Sequence, residues 1–389
     1  MIRIALLGAT GSIGAQTLDI IRQHPERLKL TALAANTNAS ELKRIASEWG
    51  VQHIALAGQH LTSGARPEDL DKEWMTEGIP TGIGALTKLV ISDEVDLVVV
   101  ALSGAAALVP TINAIKANKQ IALATKEVLV SAGEIVMPLA NERKIPMRPI
   151  DSEHSAIWQC IQGFQSSQIK SIILTASGGP FRGWSKEQLS KVTLEQALNH
   201  PTWKMGGKIT IDSSTMMNKA LEMIEAKWLF GLEMDQVQVV VHPQSVLHSL
   251  VEFHDTSTLG QLGWPDMRIP IQYALLYPER IENEMPRWNP AQTPSLTFEA
   301  LDETVFTGLS LARTAVKIGG VAPCVMNAAN EAAVSLFLNG KIRYLGITQI
   351  VENVVTEAKR MEVNLPNLIE ADRLARAEVL RIAPEFAPL

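Results

Sequence analysis

Cysteine is nearly absent from this 389-residue chain, with only Cys160 and Cys324 present. Two cysteines build neither a disulfide framework nor a cysteine-cluster zinc site. Positive charge is not in excess either. Lysine and arginine number 35 against 41 acids, a formal net charge of −6. That excludes the bulk basic footprint of a nucleic-acid binder and leaves room only for local patches that hold phosphates. Long apolar runs are missing as well. The most apolar stretch, Leu97 to Val109, covers 13 residues and contains Ser103 and Gly104, whereas a membrane-spanning helix needs about 20. The first residues, MIRIALLGATGSIG, show no charged leader and run straight into a glycine loop; the expectation is a cytoplasmic protein with no membrane partner.

What is there reads as globular. Hydrophobic residues make up 46% and charged residues 20%, and the length suits two or three domains of about 100–200 residues each. Residues 1–150 alternate apolar runs with helical patterns. Ile2–Leu7, Leu28–Ala35, His53–Ala57, Asp96–Leu102 and Gln120–Ala124 read as strands, and Ser40–Trp49 as a helix capped by Ser40. Such alternation predicts a parallel sheet with crossover helices. The pattern changes near Pro146–Pro149. Beyond it come strands over Ser171–Ala176 and Val237–Val241, a long loop from Ser177 to Gly207, a proline-rich stretch from Tyr277 to Pro294, and helical patterns over 303–389.

Gly8-Ala9-Thr10-Gly11-Ser12-Ile13-Gly14 follows the first strand and opens a helix. Glycines there permit a sharp turn and close approach of the backbone to a pyrophosphate, which the helix N-terminus favours electrostatically. The second strand ends in Ala34-Ala35-Asn36-Thr37-Asn38-Ala39 without an acid. An acid there would hold the ribose of NAD and repel a 2′-phosphate, so its absence favours NADP. Asn36, Thr37, Asn38 and Ser40 offer hydrogen bonds to that phosphate.

Three carboxylates stand out. Asp151 and Glu153 sit two apart in Pro149-Ile150-Asp151-Ser152-Glu153-His154; if Ile150 ends a strand, both point to one side. Glu222 lies four residues after Asn218, on the same helix face. Oxygen ligands of this kind suit Mg²⁺ or Mn²⁺. Their neighbours suit a phosphate. Ser177 starts the turn SGGPF, Asp212-Ser213-Ser214-Thr215 reads as the cap of a following helix, Lys219 offers a point charge, and His200 a hydrogen bond. Trp203 and Met205 lie on a glycine-bounded segment suited to covering a small substrate.

Taken together, GATGSIG at 8–14, TKE at 125–127, DSEHSAIWQC at 151–160, ASGGPF at 176–181, HPTWKMG at 200–206 and DSSTMMNKALE at 212–222 resemble the 1-deoxy-D-xylulose 5-phosphate reductoisomerase family over essentially the whole chain. The resemblance implies an α/β fold with an N-terminal Rossmann-like NADPH domain (1–150), a central α/β catalytic and dimerisation domain (151–276, flap near 177–207), a linker (277–302) and a C-terminal helical domain (303–389). It implies a homodimer, with NADPH and Mg²⁺, Mn²⁺ or a similar ion such as Co²⁺ as cofactors. The implied reaction rearranges and reduces 1-deoxy-D-xylulose 5-phosphate to 2-C-methyl-D-erythritol 4-phosphate, a step toward isoprenoid precursors.

Position by position, the resemblance gives the metal to Asp151, Glu153 and Glu222, with Glu222 also in the substrate set. The substrate phosphate falls to Ser177, Ser213, Asn218 and Lys219. The reacting end falls to Lys126, Ser152, Glu153 and His200, of which Lys126, Glu153 and His200 are the catalytic set. Trp203 and Met205 of the flap, and His248, which supports the site from behind, complete the substrate-binding set. Cofactor contacts fall to Gly8, Thr10, Gly11, Ser12, Ile13, Gly14, Ala35, Asn36, Asn38, Lys126, Glu127 and Gly206. The chain departs from the family's usual residues at Thr125, Asn199 and Ala220. One rival reading is an aspartate-semialdehyde-type dehydrogenase, which needs an activated cysteine. The other is a non-catalytic NADP sensor, since a glycine loop shows binding and not turnover.

Overall fold

The computed structural model describes residues 1–59, 65–102, 104–202, 206–293 and 295–388. It forms two compact units. One comprises Met1–Ser155, Met267–Glu282 and Asn364–Glu370; the other comprises Ala156–Asp266, Asn283–Val363 and Ala371–Leu389.

The first unit is built on an eight-stranded sheet of β1 (Ile2–Leu7), β2 (Leu28–Ala35), β3 (His53–Leu56), β4 (Trp74–Thr76), β5 (Ile79–Thr81), β6 (Leu97–Val100), β7 (Gln120–Leu123) and β8 (Met147–Pro149). The strand order is β4-β5-β3-β2-β1-β6-β7-β8. Every pair is parallel except β4–β5, as the alternating sequence predicts. Leu97, Val98, Val99 and Val100 of β6 are all fully buried. A strand covered by helices on both faces has no use for polar alternation. The helices α1 (Ser12–Gln23), α2 (Ala39–Trp49), α3 (Ile83–Ile91), α4 (Leu108–Lys116) and α5 (Glu127–Glu142) connect these strands. The order reverses at β1, flanked by β2 and β6. Ligands of open α/β sheets bind outside the strand ends at such a switch point.

One helix start differs from expectation. α2 begins at Ala39, and Asn38, not Ser40, is its cap: Asn38 Oδ1 accepts the Glu41 N–H at 3.1 Å. Ser40 donates its hydroxyl to the same oxygen. Asparagine caps as well as serine does, so the first of two competent residues wins.

The second unit holds a four-stranded mixed sheet of β9 (Ile169–Ala176), β10 (Val237–Val241), β11 (Leu247–Phe253) and β12 (Thr258–Leu262), in the order β10-β9-β11-β12. β10 runs parallel to β9, and β11 is antiparallel to both β9 and β12. The stretch 177–207, expected as one long loop, contains two short helices, α7 (Lys186–Leu189) and α8 (Leu194–Leu198). Each opens with a reciprocal capping box, Ser185 with Gln188 and Thr193 with Gln196. The S-x-x-Q and T-x-x-Q spacings were legible signals for both starts.

Asp151 and Glu153 are also placed differently from the strand reading. β8 ends at Pro149, and α6 (Ser152–Cys160) starts three residues later. The two acids therefore flank a helix start instead of sharing one side of a strand. Asp212–Thr215 meets the following helix only through its last residue, whose hydroxyl accepts the Met217 N–H at 3.4 Å. It forms the last turn of α9 (Gly207–Ser214) and the break before α10 (Met217–Phe230). Buried Met216 makes that break with a left-handed backbone, φ 63°. In the first unit α11 (Arg268–Leu276) packs on α1. The helices α12 (Gly308–Ile318), α13 (Ala322–Leu338), α14 (Gly346–Thr356) and α15 (Leu365–Ile382) account for the helical pattern at the C-terminal end. Among the described residues no helix is long and apolar enough to cross a membrane.

Candidate active site

In the first unit the glycine loop turns where β1 meets the end of β6. Gly8 has φ 97°, and a Cβ there would lie 2.1 Å from the Ala101 carbonyl oxygen. Only glycine fits that approach. A Cβ on Gly14 would meet the Gly8 carbonyl oxygen at 2.3 Å, so α1 packs directly on the turn. Gly11 precedes α1 and no side chain caps the helix. Gly11 and Ser12 are exposed and Thr10 and Ile13 half-buried, so the positive end of the helix dipole opens to solvent, as an anion site requires.

The neighbouring strand ends complete that edge. Ala35 is buried at the end of β2, and the Asn36 carbonyl accepts the Gly58 N–H at 2.9 Å. Asn38 is engaged in capping α2. Thr125, one of the departures from family usage, is buried and donates its hydroxyl to the Leu102 carbonyl at 2.7 Å. It ties the end of β7 to the end of β6 and so has a structural role of its own.

Lys126 ends this turn, just before Glu127 opens α5. Its Nζ lies 2.8 Å from Asp151 Oδ2, with both side chains largely buried. Buried His154 brings Nδ1 to 3.5 Å from the same oxygen. Burial by itself would push the Asp151 carboxyl up. The Lys126 ammonium and the His154 hydrogen bond outweigh it and hold the group far below the ordinary carboxylate range. Asp151 is thus ionised near neutral pH. The Ser152 hydroxyl donates to Glu153 Oε2 at 2.5 Å, which fixes that half-buried carboxylate at the start of α6. The sequence reading gave His154 no role; its spacing of three from Asp151 at a helix start was the available signal.

In the second unit β9 delivers Ser177 to a turn in which Gly178 and Gly179 both have positive φ. His200 Nδ1 accepts the Thr202 N–H at 3.1 Å, so the neutral ring carries its proton on Nε2. That nitrogen faces two hydroxyls, Ser177 Oγ and Ser213 Oγ, each at 3.1 Å. Burial pushes the imidazole below its ordinary value, keeping it a neutral donor. Met216 caps α10 without a side-chain hydrogen bond, the Thr215 hydroxyl accepts the Met217 N–H at 3.4 Å, and the helix begins four residues after Ser213. Two hydroxyls, a ring N–H and a helix N-terminus within one unit form an anion seat.

The first turns of α10 add charge. Lys219 Nζ donates to the Thr175 carbonyl at 2.8 Å and lies 2.5 Å from Glu222 Oε2. Asn218 Nδ2 donates to Glu222 Oε1 at 2.5 Å. Glu222 is fully buried and Lys219 nearly so. Thr175, which the sequence reading did not single out, donates to the Leu247 and His248 carbonyls at 2.9 and 2.8 Å. It joins β9 to β11 just where Lys219 docks. His248 lies on that next strand, and its ring pairs with the Gly263 carbonyl at 3.2 Å. Ala220 is fully buried. Gly206 is exposed just before α9. Trp203 and Met205 lie outside the described residues.

Neither cysteine supports the dehydrogenase rival. Cys160 ends α6 half-buried and Cys324 is buried near the start of α13, while the residues brought together in the second unit are serines, a histidine, a lysine, an asparagine and Glu222.

His200 makes stability depend on acid. Because its folded pKa lies below the unfolded value, the unfolded chain takes up a proton first. Its contribution is therefore complete above about pH 6.5 and is lost as pH falls through the folded value. Thermal melts from pH 8 to 5 should show Tm falling on acidification, and His200→Asn should flatten that slope. An unchanged slope in the variant would remove this role.

A glycine turn at a switch point, in a chain whose second unit also carries the fully buried Glu222 and a cluster of anion donors, is the pattern of a dinucleotide-dependent enzyme of the α/β class. Comparison with known proteins narrows it. Family models described as 1-deoxy-D-xylulose 5-phosphate reductoisomerase, and as that enzyme's C-terminal domain, match residues 4–133 and 147–230, and a further C-terminal-domain model matches residues 262–378. The reductoisomerase of Desulforamulus reducens is 50% identical over 98% of this chain and 99% of its own length. That of Thermoanaerobacter pseudethanolicus is 48% identical, again over 98% and 99%. A crystal structure of DOX-P reductoisomerase with NADPH, fosmidomycin and magnesium superposes with a TM-score of 0.89 at 39% identity, covering 98% of each chain. The Zymomonas mobilis enzyme with NADPH gives 0.86 at 38% identity, covering 98% and 99%. The chain belongs to the 1-deoxy-D-xylulose 5-phosphate reductoisomerase family.

Proposed function

We propose that this protein converts 1-deoxy-D-xylulose 5-phosphate to 2-C-methyl-D-erythritol 4-phosphate with NADPH and a divalent cation, a step toward isoprenoid precursors. Full-length similarity to reductoisomerases at up to 50% identity, with every carboxylate and phosphate-seat residue of the family motifs present, is the observation that carries this reading.

The residues suit the groups they would hold. The Gly8 and Gly14 contacts leave the closely packed turn a dinucleotide pyrophosphate needs. Asp151, Glu153 and Glu222 offer only carboxylate oxygens, the donors hard divalent ions prefer. Asp151 and Glu222 are each already faced by an ammonium, which marks them as charged within buried settings. When bound, the ion supplies a Lewis acid for the substrate's ketone oxygen and NADPH supplies a hydride.

The chain's own residues do the rest. Ser177, Ser213, His200, Asn218 and Lys219 grip the phosphate, and that remote binding energy orients the reacting end. His200 donates through Nε2. Lys126 balances the charge of Asp151, and Glu153, held by Ser152, is placed to exchange a proton with a substrate hydroxyl. Gly8, Thr10, Gly11, Ser12, Ile13, Gly14, Ala35, Asn36, Asn38, Glu127 and Gly206 are proposed cofactor contacts. Trp203 and Met205 are proposed flap residues, with residues 303–389 a helical domain reached through the 277–302 linker.

The test is NADPH consumption followed by absorbance with the substrate and Mg²⁺ or Mn²⁺, a chelator control and product identification. Chelator-sensitive consumption yielding the branched carbon skeleton is expected. Folded protein that binds NADPH without metal-dependent turnover would favour the sensor reading instead.

A cytoplasmic location and a homodimer belong to the same reading. β12 is an open edge of its sheet, and Leu259 and Trp264 on and beside it are 40% and 37% exposed. Open edges with apolar side chains invite pairing with a second chain. Leu259→Arg with Trp264→Asp should shift a sedimenting dimer to monomer. A dimer that survives both changes places the interface elsewhere.

A further inference from the structure

Ser213 is held from both sides by the C-terminal helical stretch. On one side, fully buried Asn330 in α13 donates Nδ2 to Asp212 Oδ1 at 2.8 Å, while Lys208 Nζ lies 2.8 Å from Oδ2. On the other side, buried Tyr344 donates its hydroxyl to the Ser214 carbonyl at 2.8 Å. The helical ladder of α9 stops at the left-handed Met216, so its last carbonyls need donors from elsewhere. Tyr344 is one.

Tyr344 also reaches the other wall of the seat. Its ring meets Phe181 edge-on at 5.1 Å, and Phe181 closes the turn that Ser177 opens. That turn runs backbone-to-backbone against α9: a Cβ on Gly179 would lie 2.9 Å from the Ser213 carbonyl oxygen. The two hydroxyls facing His200 therefore sit on separate segments joined through Tyr344.

We infer that Asn330 and Tyr344 are positioning residues for the phosphate seat: they set the placement of the Ser213 hydroxyl relative to Ser177 and His200. The inference rests on the reading of Ser177, His200 and Ser213 as that seat. Neither side chain touches the seat's hydroxyls, so each acts through the backbone or carboxylate on one side of Ser213. Displacing a binding group by a fraction of an ångström loosens a multidentate anion site without unfolding it.

The experiment compares Tyr344→Phe and Asn330→Ala, each alone and combined with Ser213→Ala. Each single change should lower kcat/KM for 1-deoxy-D-xylulose 5-phosphate about fivefold, chiefly through a raised KM, with the KM for NADPH within about twofold. On the Ser213→Ala background the same changes should add less than about twofold, because the group they position is gone. An unmoved KM, or a full effect retained on Ser213→Ala, would overturn the inference. An unmoved KM for Ser213→Ala itself would overturn the phosphate reading instead. If Asn330→Ala does not fold, Tyr344→Phe decides alone, since it keeps the ring on Phe181 and removes only the hydroxyl.

Discussion

Glu222→Gln should lower kcat by at least about 10³-fold, roughly 4 kcal/mol of transition-state stabilisation, while the protein stays folded and binds NADPH normally. The carboxylate is fully buried against Lys219 and Asn218. Glutamine keeps the shape, and its oxygen can still accept from Lys219. Its amide then faces Asn218, whose side chain flips to present an oxygen, so the hydrogen bonds survive. The negative charge does not, and with it goes the proposed hold on a divalent cation. Steady-state kinetics across Mg²⁺ or Mn²⁺ concentrations, with a thermal melt alongside, reads both halves. Wild-type turnover that remains chelator-sensitive would take Glu222 out of the metal set.

Gly8→Ala should abolish NADPH binding, with affinity down more than about 100-fold and stability down by roughly 3 kcal/mol. The added Cβ meets the Ala101 carbonyl oxygen at 2.1 Å and its carbon at 2.5 Å. Both are backbone atoms at the end of a central strand and have nowhere to go. Gly50→Ala isolates the conformational part. Gly50 has φ 63° with nothing within 4 Å of the new atom, so it should cost only about 1 kcal/mol and leave NADPH binding intact. Titration calorimetry and chemical denaturation of the two variants separate the effects. Equal losses in both would mean that the close approach at Gly8 has no part in holding the cofactor.

The local logic of the chain was readable in advance. The parallel sheet followed from apolar runs separated by helical patterns, and the glycine turn from its place between a strand and a helix. The carboxylates and the seat's serines were found through their neighbours in sequence. The misreadings have different causes. Ser40 lost the cap of α2 to Asn38, a competition between adjacent competent residues that local pattern cannot rank. Asp212–Thr215 carries good capping residues, yet it ends α9 because buried Met216 adopts a left-handed backbone. Gly308, whose added Cβ would lie 2.9 Å from the Met216 carbonyl oxygen, packs against that bend from 92 residues farther along the chain.

The sequence by itself determined the class of fold, the cofactor loop, the identity of the charged and hydroxyl groups and, through its motifs, the family. Those depend on residue type and short spacing, which the order of residues states directly. Tertiary structure alone decided how the groups are held. It set the Nε2 proton of His200 through the Thr202 N–H, the ionised state of Asp151 through Lys126, and the fixing of Ser213 by Asn330 and Tyr344. Each of these depends on a distance or a burial, and for all but the first the partners lie tens to more than a hundred residues apart, so no local pattern could have specified them.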